Sequence, residues 1–268
     1  MLKTEMRNEK SMHIDKMDTL SMLKLINEEN MNSVKAVEAE LDNIARAVDV
    51  ITESFSKGGR LFYIGAGTSG RIGVLDASEC PPTYGVPEDM VIGIIAGGDK
   101  SLRSASENAE DVGERGVEDL AKYNLTENDV AVGISVAGGA QYVLAALAYA
   151  KEKGATTVGL TSNEDSLLAQ QADIAICPDT GAEVITGSSR MKGGNAQKFV
   201  LNMLSTCAMV KSGYVYENLM INLKPSNVKL KKRMIRIVQE IRKCDEITAE
   251  QLLNENDWTI KKAVESVL

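Results

Sequence analysis

The chain has 268 residues, of which 44% are hydrophobic and 25% are charged. These fractions are those of an ordinary globular protein and exclude a disordered, fibrous or membrane protein. The formal net charge is −8, from 30 basic and 38 acidic side chains. This balance argues against a general nucleic-acid binder, which carries a basic footprint. The length fits one α/β domain with appended helices.

The cysteines and the amino terminus predict a cytoplasmic protein. The four cysteines lie far apart in the chain, with neither the spacing of metal ligands nor the density of a disulfide scaffold. The first ten residues are charged throughout and lack the apolar stretch of a secretory signal. The sequence also has no run of about 18 apolar residues, the length that spans a bilayer. We therefore expect reduced thiols and neither a membrane nor a nucleic acid as partner.

The apolar pattern changes from helical to strand-like along the chain. Apolar residues recur at steps of three and four from Val34 to Phe55, which predicts one long amphipathic helix that stops at the glycine pair 58–59. Five short apolar runs of strand type follow, separated by stretches of helical composition. They span residues 60–64, 90–95, 129–134, 156–160 and 173–176. Strands that alternate with helices predict an α/β fold with a three-layer, doubly wound parallel sheet.

Beyond Gly187 the pattern is helical again. It predicts helices over residues 192–212 and 227–243 and a short pair that ends at Leu268. We therefore divide the chain into an N-terminal helical segment (1–57) packed on a central α/β domain (58–224), and a small helical C-terminal tail (225–268).

A glycine-rich loop, GAGTSG at residues 65–70, follows the first predicted strand. Ligands of parallel sheets bind beyond the carboxyl ends of the strands, where helix amides attract anions. A dinucleotide site would also need an acidic residue at the end of the second strand, where this chain reads AGG. A phosphate monoester suits Gly67 and the hydroxyls of Thr68 and Ser69 better. We predict a sugar-phosphate loop, with a nucleotide loop and a structural turn as the alternatives.

Two longer blocks carry a specific resemblance. They are residues 65–71 (GAGTSGR) continuing into 76–85 (DASECPPTYG), and residues 186–192 (TGSSRMK). Together they resemble the N-acetylmuramic acid 6-phosphate etherase family, and similar stretches at 25–29 (LINEE) and 201–206 (LNMLST) extend the likeness over nearly the whole chain. The resemblance implies the nucleotide-binding-like sugar isomerase (SIS) fold, a relation to the glucokinase regulatory protein, and a homodimer.

The resemblance also implies a reaction. The family cleaves the lactyl ether of N-acetylmuramic acid 6-phosphate, giving N-acetylglucosamine 6-phosphate and D-lactate without a cofactor or a metal. A base removes the hydrogen on carbon 2 of the open-chain aldehyde, an acid protonates the departing lactate oxygen at carbon 3, and water adds to the double bond. By the family pattern Glu79 is the proton donor and Glu110 is the base. The scheme needs both carboxyl groups near one substrate, in different protonation states.

The residues themselves support these two roles unequally. Glu79 stands beside Pro81 and Pro82, which predict a rigid turn that holds it in the cleft. Glu110 falls on a predicted helix among other acids, where a glutamate is ordinarily a solvated surface charge. Its role as the base therefore depends on the resemblance.

The second block lies just before a long predicted helix. We predict that Ser188, Ser189, Arg190 and Lys192 contact the substrate, because hydroxyls, cations and helix amides converge on an anion in such a position. A simple helix cap and surface ion pairs are the alternatives.

The loop after the third strand departs from the family. The family usually reads Ser-Gly-Arg-Thr-Pro, whereas residues 137–141 of this chain read AGGAQ. The change removes several hydrogen-bonding groups, so we predict weaker phosphate binding than in a typical member, with the amides of Gly138 and Gly139 as remaining donors. The loss leaves a non-catalytic sugar-phosphate-binding regulatory protein as the alternative function. A sugar-phosphate isomerase is a third, less specific possibility.

Overall fold

A five-stranded parallel sheet forms the centre of the protein. The computed structural model describes residues 2–104, 106, 108–225 and 227–265. The strand order is β2-β1-β3-β4-β5, and every neighbouring pair is parallel. The strands are β1 (Leu61–Gly65), β2 (Val91–Ile95), β3 (Val130–Ile134), β4 (Thr156–Leu160) and β5 (Ile174–Ile176). Each strand lies within one residue of the bounds of a predicted apolar run, and the predicted parallel sheet is confirmed.

Helices cover both faces of the sheet. Leu61 and Tyr63 of β1 lie in a core that the sheet shares with the first, second, third and eighth helices. Phe62 and Ile64 point to the opposite face, where the fifth, sixth and seventh helices pack, as the alternation of side chains along a strand requires. The helices are α1 (Thr19–Glu38), α2 (Leu41–Ser56), α3 (Gly67–Tyr84), α4 (Lys100–Arg103), α5 (Gly113–Ala121), α6 (Gln141–Glu152), α7 (Leu167–Gln171) and α8 (Lys192–Lys211). The predicted three layers are therefore confirmed.

The amino-terminal helix differs from the prediction. The apolar stripe from Val34 to Phe55 belongs to two helices and not to one, because the backbone leaves the helical path at Glu40 (φ −104°, ψ 6°). Val37 before the break and Ile44 after it enter the same core. The spacing of apolar residues therefore continues across the break and hides it.

The carboxyl-terminal helices build a second, smaller core. They are α9 (Val228–Arg242), α10 (Glu246–Glu255) and α11 (Ile260–Glu265), preceded by the hairpin β6 (Val215–Tyr216) and β7 (Leu219–Met220). Ile221 and Leu223 belong to this core although they precede residue 225.

The domain limits at residues 57 and 224 stay predictions, and the predicted end at Leu268 lies outside the described residues. None of the helices in the described part of the chain has the length and apolar content needed to cross a bilayer.

Candidate functional site

The glycine-rich loop turns from β1 into α3 at the carboxyl edge of the sheet. Ala66 is extended and Gly67 has a φ of +54°, which together reverse the chain within two residues. A Cβ atom on Gly65 would lie 2.6 Å from the amide nitrogen of Gly70, and one on Gly70 would lie 2.6 Å from the carbonyl oxygen of Gly65. Only glycine at both positions allows the first turn of α3 to pack this closely on the strand.

The first turn of α3 offers free backbone donors. The N–H groups of Gly67, Thr68 and Ser69 have no acceptor among the described residues, and that of Gly70 is the first to bond, to the Ala66 carbonyl at 3.2 Å. Unpaired amides at a helix start carry a partial positive charge and bind anions. The geometry of this turn suits the predicted phosphate monoester.

The start of α8 is closed to an anion. The Glu183 carboxylate accepts hydrogen bonds from the amides of Lys192 (3.1 Å) and Gly193 (2.9 Å). The next amide, that of Gly194, donates to the Ser189 carbonyl at 2.9 Å. The prediction that the amides of α8 converge on the substrate is therefore wrong. The cap is a buried glutamate from nine residues upstream of Lys192, and it occupies the donors that an anion would need.

Lys192 lies in the interior, where it pairs with another side chain. Its side chain is 2% exposed, and its Nζ atom lies 2.7 Å from Oε2 of Glu29, which is 3% exposed. Glu29 also accepts hydrogen bonds from Asn8 (2.7 Å) and pairs with Lys10 (3.1 Å). Burial alone would raise the pKa of Glu29, but hydrogen bonds from Lys192, Lys10 and Asn8 outweigh it and lower that pKa to about 2. The ammonium group of Lys192 thus joins α8 to α1 and does not face the predicted site.

The rest of the second motif lies beside the glycine-rich loop. A Cβ atom on Gly194 would lie 3.4 Å from the Thr68 side chain and 3.8 Å from the Ser189 carbonyl oxygen, so Thr68 and Ser189 flank the same glycine. Ser188 and Ser189 are partly exposed. Arg190 is exposed and makes no ion pair within the described part of the chain. The fold therefore brings the two motifs together, with Arg190 available as a cation.

Glu110 lies at the same edge of the sheet as the glycine-rich loop. It is exposed, in a three-residue 3₁₀ turn after β2 and not on the longer helix that was predicted. Arg71 on α3 donates hydrogen bonds to the carbonyls of Leu102 (3.2 Å) and Ser104 (3.3 Å). These bonds tie Leu102 and Ser104, which precede Glu110 in the chain, to the start of α3.

Glu79 lies far from that edge in the same chain. It is exposed on α3, ten residues after Ser69, and a rise of 1.5 Å per residue separates the two by about 15 Å along the helix. Pro81 and Pro82 continue α3 and do not form the predicted rigid turn. The helix ends at Tyr84, and the amide of the capping residue Gly85 donates to the Pro81 carbonyl. Pro81 shares a surface groove with Val91, the first residue of β2. Glu79 is therefore level with the amino-terminal end of the sheet.

The altered loop after β3 keeps one of the two expected donors. Gly138 has a φ of +72°, and a Cβ atom there would overlap the Ser166 side chain. Its amide donates to the Ser135 hydroxyl at 3.1 Å and is not free for a ligand, which corrects the expectation for Gly138. Gly139 faces open space, and its amide has no acceptor among the described residues.

Restoring the family's loop is expected to strengthen binding. Because Gly139 faces open space and Gln141 begins α6, where proline is favourable, the substitutions A137S, G139R, A140T and Q141P fit the backbone. Each hydrogen bond to a charged partner contributes about 1.5–3 kcal/mol, so the dissociation constant for N-acetylglucosamine 6-phosphate, measured by calorimetry, should fall at least about tenfold. Q141P alone adds no hydrogen-bonding group and is the control. Equal affinity of the four-site variant and the wild type would contradict the prediction.

Several residues that shape the site gave no functional signal in the sequence. They are Glu29, Arg71, Glu183 and Gln197. Glu29 and Arg71 stand inside the family-like stretches, but nothing in their spacing shows which partners they reach. Among the described residues, no three of His, Cys, Asp and Glu gather closely enough to hold a metal ion.

Known proteins resemble the chain over most of its length. A family model described as the glucokinase regulatory protein N-terminal SIS domain matches residues 43–151. An N-acetylmuramic acid 6-phosphate etherase of Actinobacillus pleuropneumoniae serotype 5b (strain L20) is 54% identical over 265 residues, which are 99% of this chain and 87% of that protein. The chain belongs to the N-acetylmuramic acid 6-phosphate etherase family. Another etherase, from Clostridium botulinum (strain Okra / Type B1), is 53% identical over 98% of this chain and 87% of its own length.

A solved structure agrees with the fold of this etherase-family chain. A phosphoheptose isomerase from Francisella tularensis superposes with a TM-score of 0.54 at 17% identity, covering 72% of this chain and 98% of that one. The family and the SIS fold implied by the sequence resemblance are thereby confirmed. Etherases match nearly the full length of the chain, whereas the regulatory-protein model matches less than half of it, so the regulatory alternative is not favoured.

Proposed function

We propose that this chain is a carbon–oxygen lyase that cleaves the D-lactyl ether of N-acetylmuramic acid 6-phosphate. The products are N-acetylglucosamine 6-phosphate and D-lactate, a step of amino sugar catabolism and of cell-wall recycling. The observation that carries this proposal is the identity of more than half of the residues with etherases over 99% of the chain. The cytoplasm stays the predicted location.

One set of residues binds the substrate, and two glutamates transfer the protons. The amides of Gly67, Thr68 and Ser69 bind the 6-phosphate at the start of α3. Ser188, Ser189 and Arg190 add hydroxyl and guanidinium donors from the second motif, in which the Ser189 carbonyl lies beside Gly194. Their fixed donors hold the open-chain aldehyde so that its carbon 2 faces the base.

The two glutamates then carry out elimination and hydration. The Glu110 carboxylate removes the proton from carbon 2, the electron pair of that C–H bond forms the double bond between carbons 2 and 3, and the C–O bond to lactate breaks. Glu79 gives its proton to the departing lactate oxygen. Water then adds its hydroxyl group to carbon 3 while carbon 2 is protonated again. The sum is one water consumed and one ether bond replaced by two hydroxyl groups.

We further propose that each active site is shared between two copies of the chain. Within one copy about 15 Å of helix separates Glu79 from the anion-binding turn at Ser69, which is too far for both to contact one small sugar. Glu110 lies at the same edge of the sheet as that turn. In a homodimer, Glu79 of one copy can lie beside the anion-binding turn and Glu110 of the other copy. This arrangement removes the conflict.

The surface around Glu79 supports a second copy as the occupant. Leu75, one helical turn before Glu79 and on the same face of α3, is 49% exposed. A groove of about 680 Å³ lies between α1 and α8 and is lined mostly by apolar side chains, among them Val34, Leu41 and Met203, all of them exposed. Exposed apolar surface of this kind marks protein interfaces. We propose that the same interface covers Leu75 and brings Glu79, its neighbour on that face, to the second copy.

The direct test of the function is release of D-lactate. Purified protein, without an added cofactor, is expected to release D-lactate from N-acetylmuramic acid 6-phosphate in equal amount to N-acetylglucosamine 6-phosphate. The unphosphorylated sugar is the matched control and should release far less, because it lacks the anion that the α3 turn binds. Binding of the substrate without release would refute the lyase and leave the regulatory alternative.

A further inference from the structure

One buried amide group beside the phosphate-binding turn is only half satisfied. Gln197 on α8 is 1% exposed, and its Nε2 atom has no hydrogen-bond partner among the residues that the structure describes. An unpaired buried donor destabilises the folded chain, and such groups in native proteins call for an explanation. The other atom of the same amide, Oε1, accepts a hydrogen bond from the Ser69 hydroxyl at 3.0 Å. The unsatisfied donor therefore lies next to a residue of the proposed phosphate site.

The hydrogen bond to Gln197 directs the proton of the Ser69 hydroxyl away from a ligand. A hydroxyl group has a single proton to donate, and the proton of Ser69 is given to Gln197. Phosphate oxygens are acceptors, so Ser69 can offer them nothing while that bond persists. The free amides of the α3 turn would then bind the phosphate without the help of this side chain.

Gln197 lies where α3 packs against α8, and its amide is held by a single hydrogen bond, through Oε1, among the described residues. The two helices run side by side, with Asn202 bonded to Asp76 at 2.6 Å and Tyr84 bonded to Thr206 at 3.3 Å further along. The last torsion of a glutamine is broad and nearly two-fold, so a half-turn exchanges its oxygen and nitrogen in place. After that half-turn Nε2 donates to Ser69 Oγ, and the Ser69 proton is released to point at the phosphate.

The half-turn also lowers the free-energy penalty of burying an amide with an unpaired donor. The donor Nε2 gains an acceptor, and the atom left without a partner is the carbonyl oxygen, a kind of group that native interiors leave under-satisfied more readily than an N–H. A bound phosphate supplies the acceptor that the released Ser69 proton needs. Ligand binding and reversal of the amide therefore favour each other.

We propose that Gln197 is a positioning residue for the sugar phosphate, one that presents the Ser69 hydroxyl as a donor when the phosphate arrives. The inference rests on the proposed function and deepens it, because it assigns Gln197 to recognition of the phosphate group and not to the proton transfers. Because Gln197 acts on substrate binding, its substitution should raise KM and leave kcat largely unchanged.

A double-mutant cycle tests the proposal. Calorimetry gives the dissociation constants of N-acetylglucosamine 6-phosphate and of inorganic phosphate for the wild type, Ser69→Ala, Gln197→Met and the double variant. We expect each single variant to bind both probes about tenfold more weakly, and the double variant to bind no worse than Ser69→Ala, because residues that act through one another are not additive. Thr206→Val removes a hydrogen bond from the same helix seam and is the control for a merely structural effect; its affinities should equal those of the wild type.

The outcomes separate this proposal from the function it rests on. Unchanged affinity in Gln197→Met, or losses that add in full in the double variant, would overturn the role of Gln197 while D-lactate release by the wild type upholds the lyase. A wild type that binds neither probe overturns the role of Gln197 as well, and absence of release from the same preparation would then also remove the proposed function. If Gln197→Met fails to fold, Gln197→Glu replaces it, and an unchanged affinity for both probes in that variant overturns the role.

Discussion

Replacing Glu79 or Glu110 by glutamine is expected to reduce D-lactate release at least about 10²-fold, because general acid and general base catalysis each contribute about 10²–10⁴-fold and an amide performs neither. Both side chains are exposed, so the folded state and the melting temperature should stay within the range of ordinary surface substitutions. Substrate affinity should persist in both variants. Full activity of either variant would remove that residue from the mechanism.

Mixing the two inactive variants tests whether the active site is shared. If each site takes Glu79 from one copy and Glu110 from the other, a dimer of one E79Q and one E110Q chain holds one intact site, and random pairing of equal amounts restores about a quarter of the wild-type activity. If both glutamates act within one copy, every site in the mixture lacks one of them and the mixture stays inactive. The measurement is D-lactate release after the subunits have been unfolded and refolded together.

Breaking the buried pair between Glu29 and Lys192 is expected to be strongly destabilising. Glu29→Gln leaves the Lys192 ammonium uncompensated at 2% exposure, and removing one partner of a buried ion pair costs about 3–5 kcal/mol. The free energy of unfolding from urea titration measures the loss. Glu53→Gln, which breaks the exposed pair with Lys57, is the matched control and should change the free energy by less than about 1 kcal/mol. A Glu29→Gln variant as stable as the control would show that the pair contributes nothing.

The same pair predicts how stability depends on acid. The pKa of Glu29 is lowered from 4.5 to about 2 in the folded chain, so the folded state holds this proton less tightly than the unfolded state. The contribution of Glu29 is therefore complete above pH 4.5 and is lost as the pH falls toward 2, and it amounts to about 3 kcal/mol. The difference in stability between the wild type and Glu29→Gln should shrink over that interval. A difference that stays constant through it would contradict the assignment.

The sheet could be predicted from sequence because its signal is local. Each strand is a short apolar run, and burial on both faces makes such runs continuous, so their bounds agree with the structure. The sequence pattern did not reveal the break at Glu40, because Val37 before it and Ile44 after it enter the same core. The prolines at 81 and 82 favoured a turn on local grounds, whereas the packing of α3 along its length keeps them in the helix.

The site was harder to predict because contacts with residues distant in the chain decide where each side chain lies and whether it is free to bind a ligand. Lys192 has the position of a substrate-binding cation, and only the fold shows that Glu29, 163 residues earlier, takes its charge. Likewise, Glu79 and Ser69 stand ten residues apart in one motif, but the helix between them makes that short interval a long distance. The sequence therefore names candidate groups, whereas the distances between them are read from the three-dimensional structure.

The bond between Glu29 and Lys192 also constrains the order in which the chain folds during synthesis. Glu29 leaves the ribosome 163 residues before its partner, and at 5–20 residues per second this interval lasts about 8–33 seconds. During that time the carboxylate, with its neighbours Asn8 and Lys10, has no buried cation to meet. The first helix is thus made early, and its buried bond to α8 forms only after Lys192 has been translated.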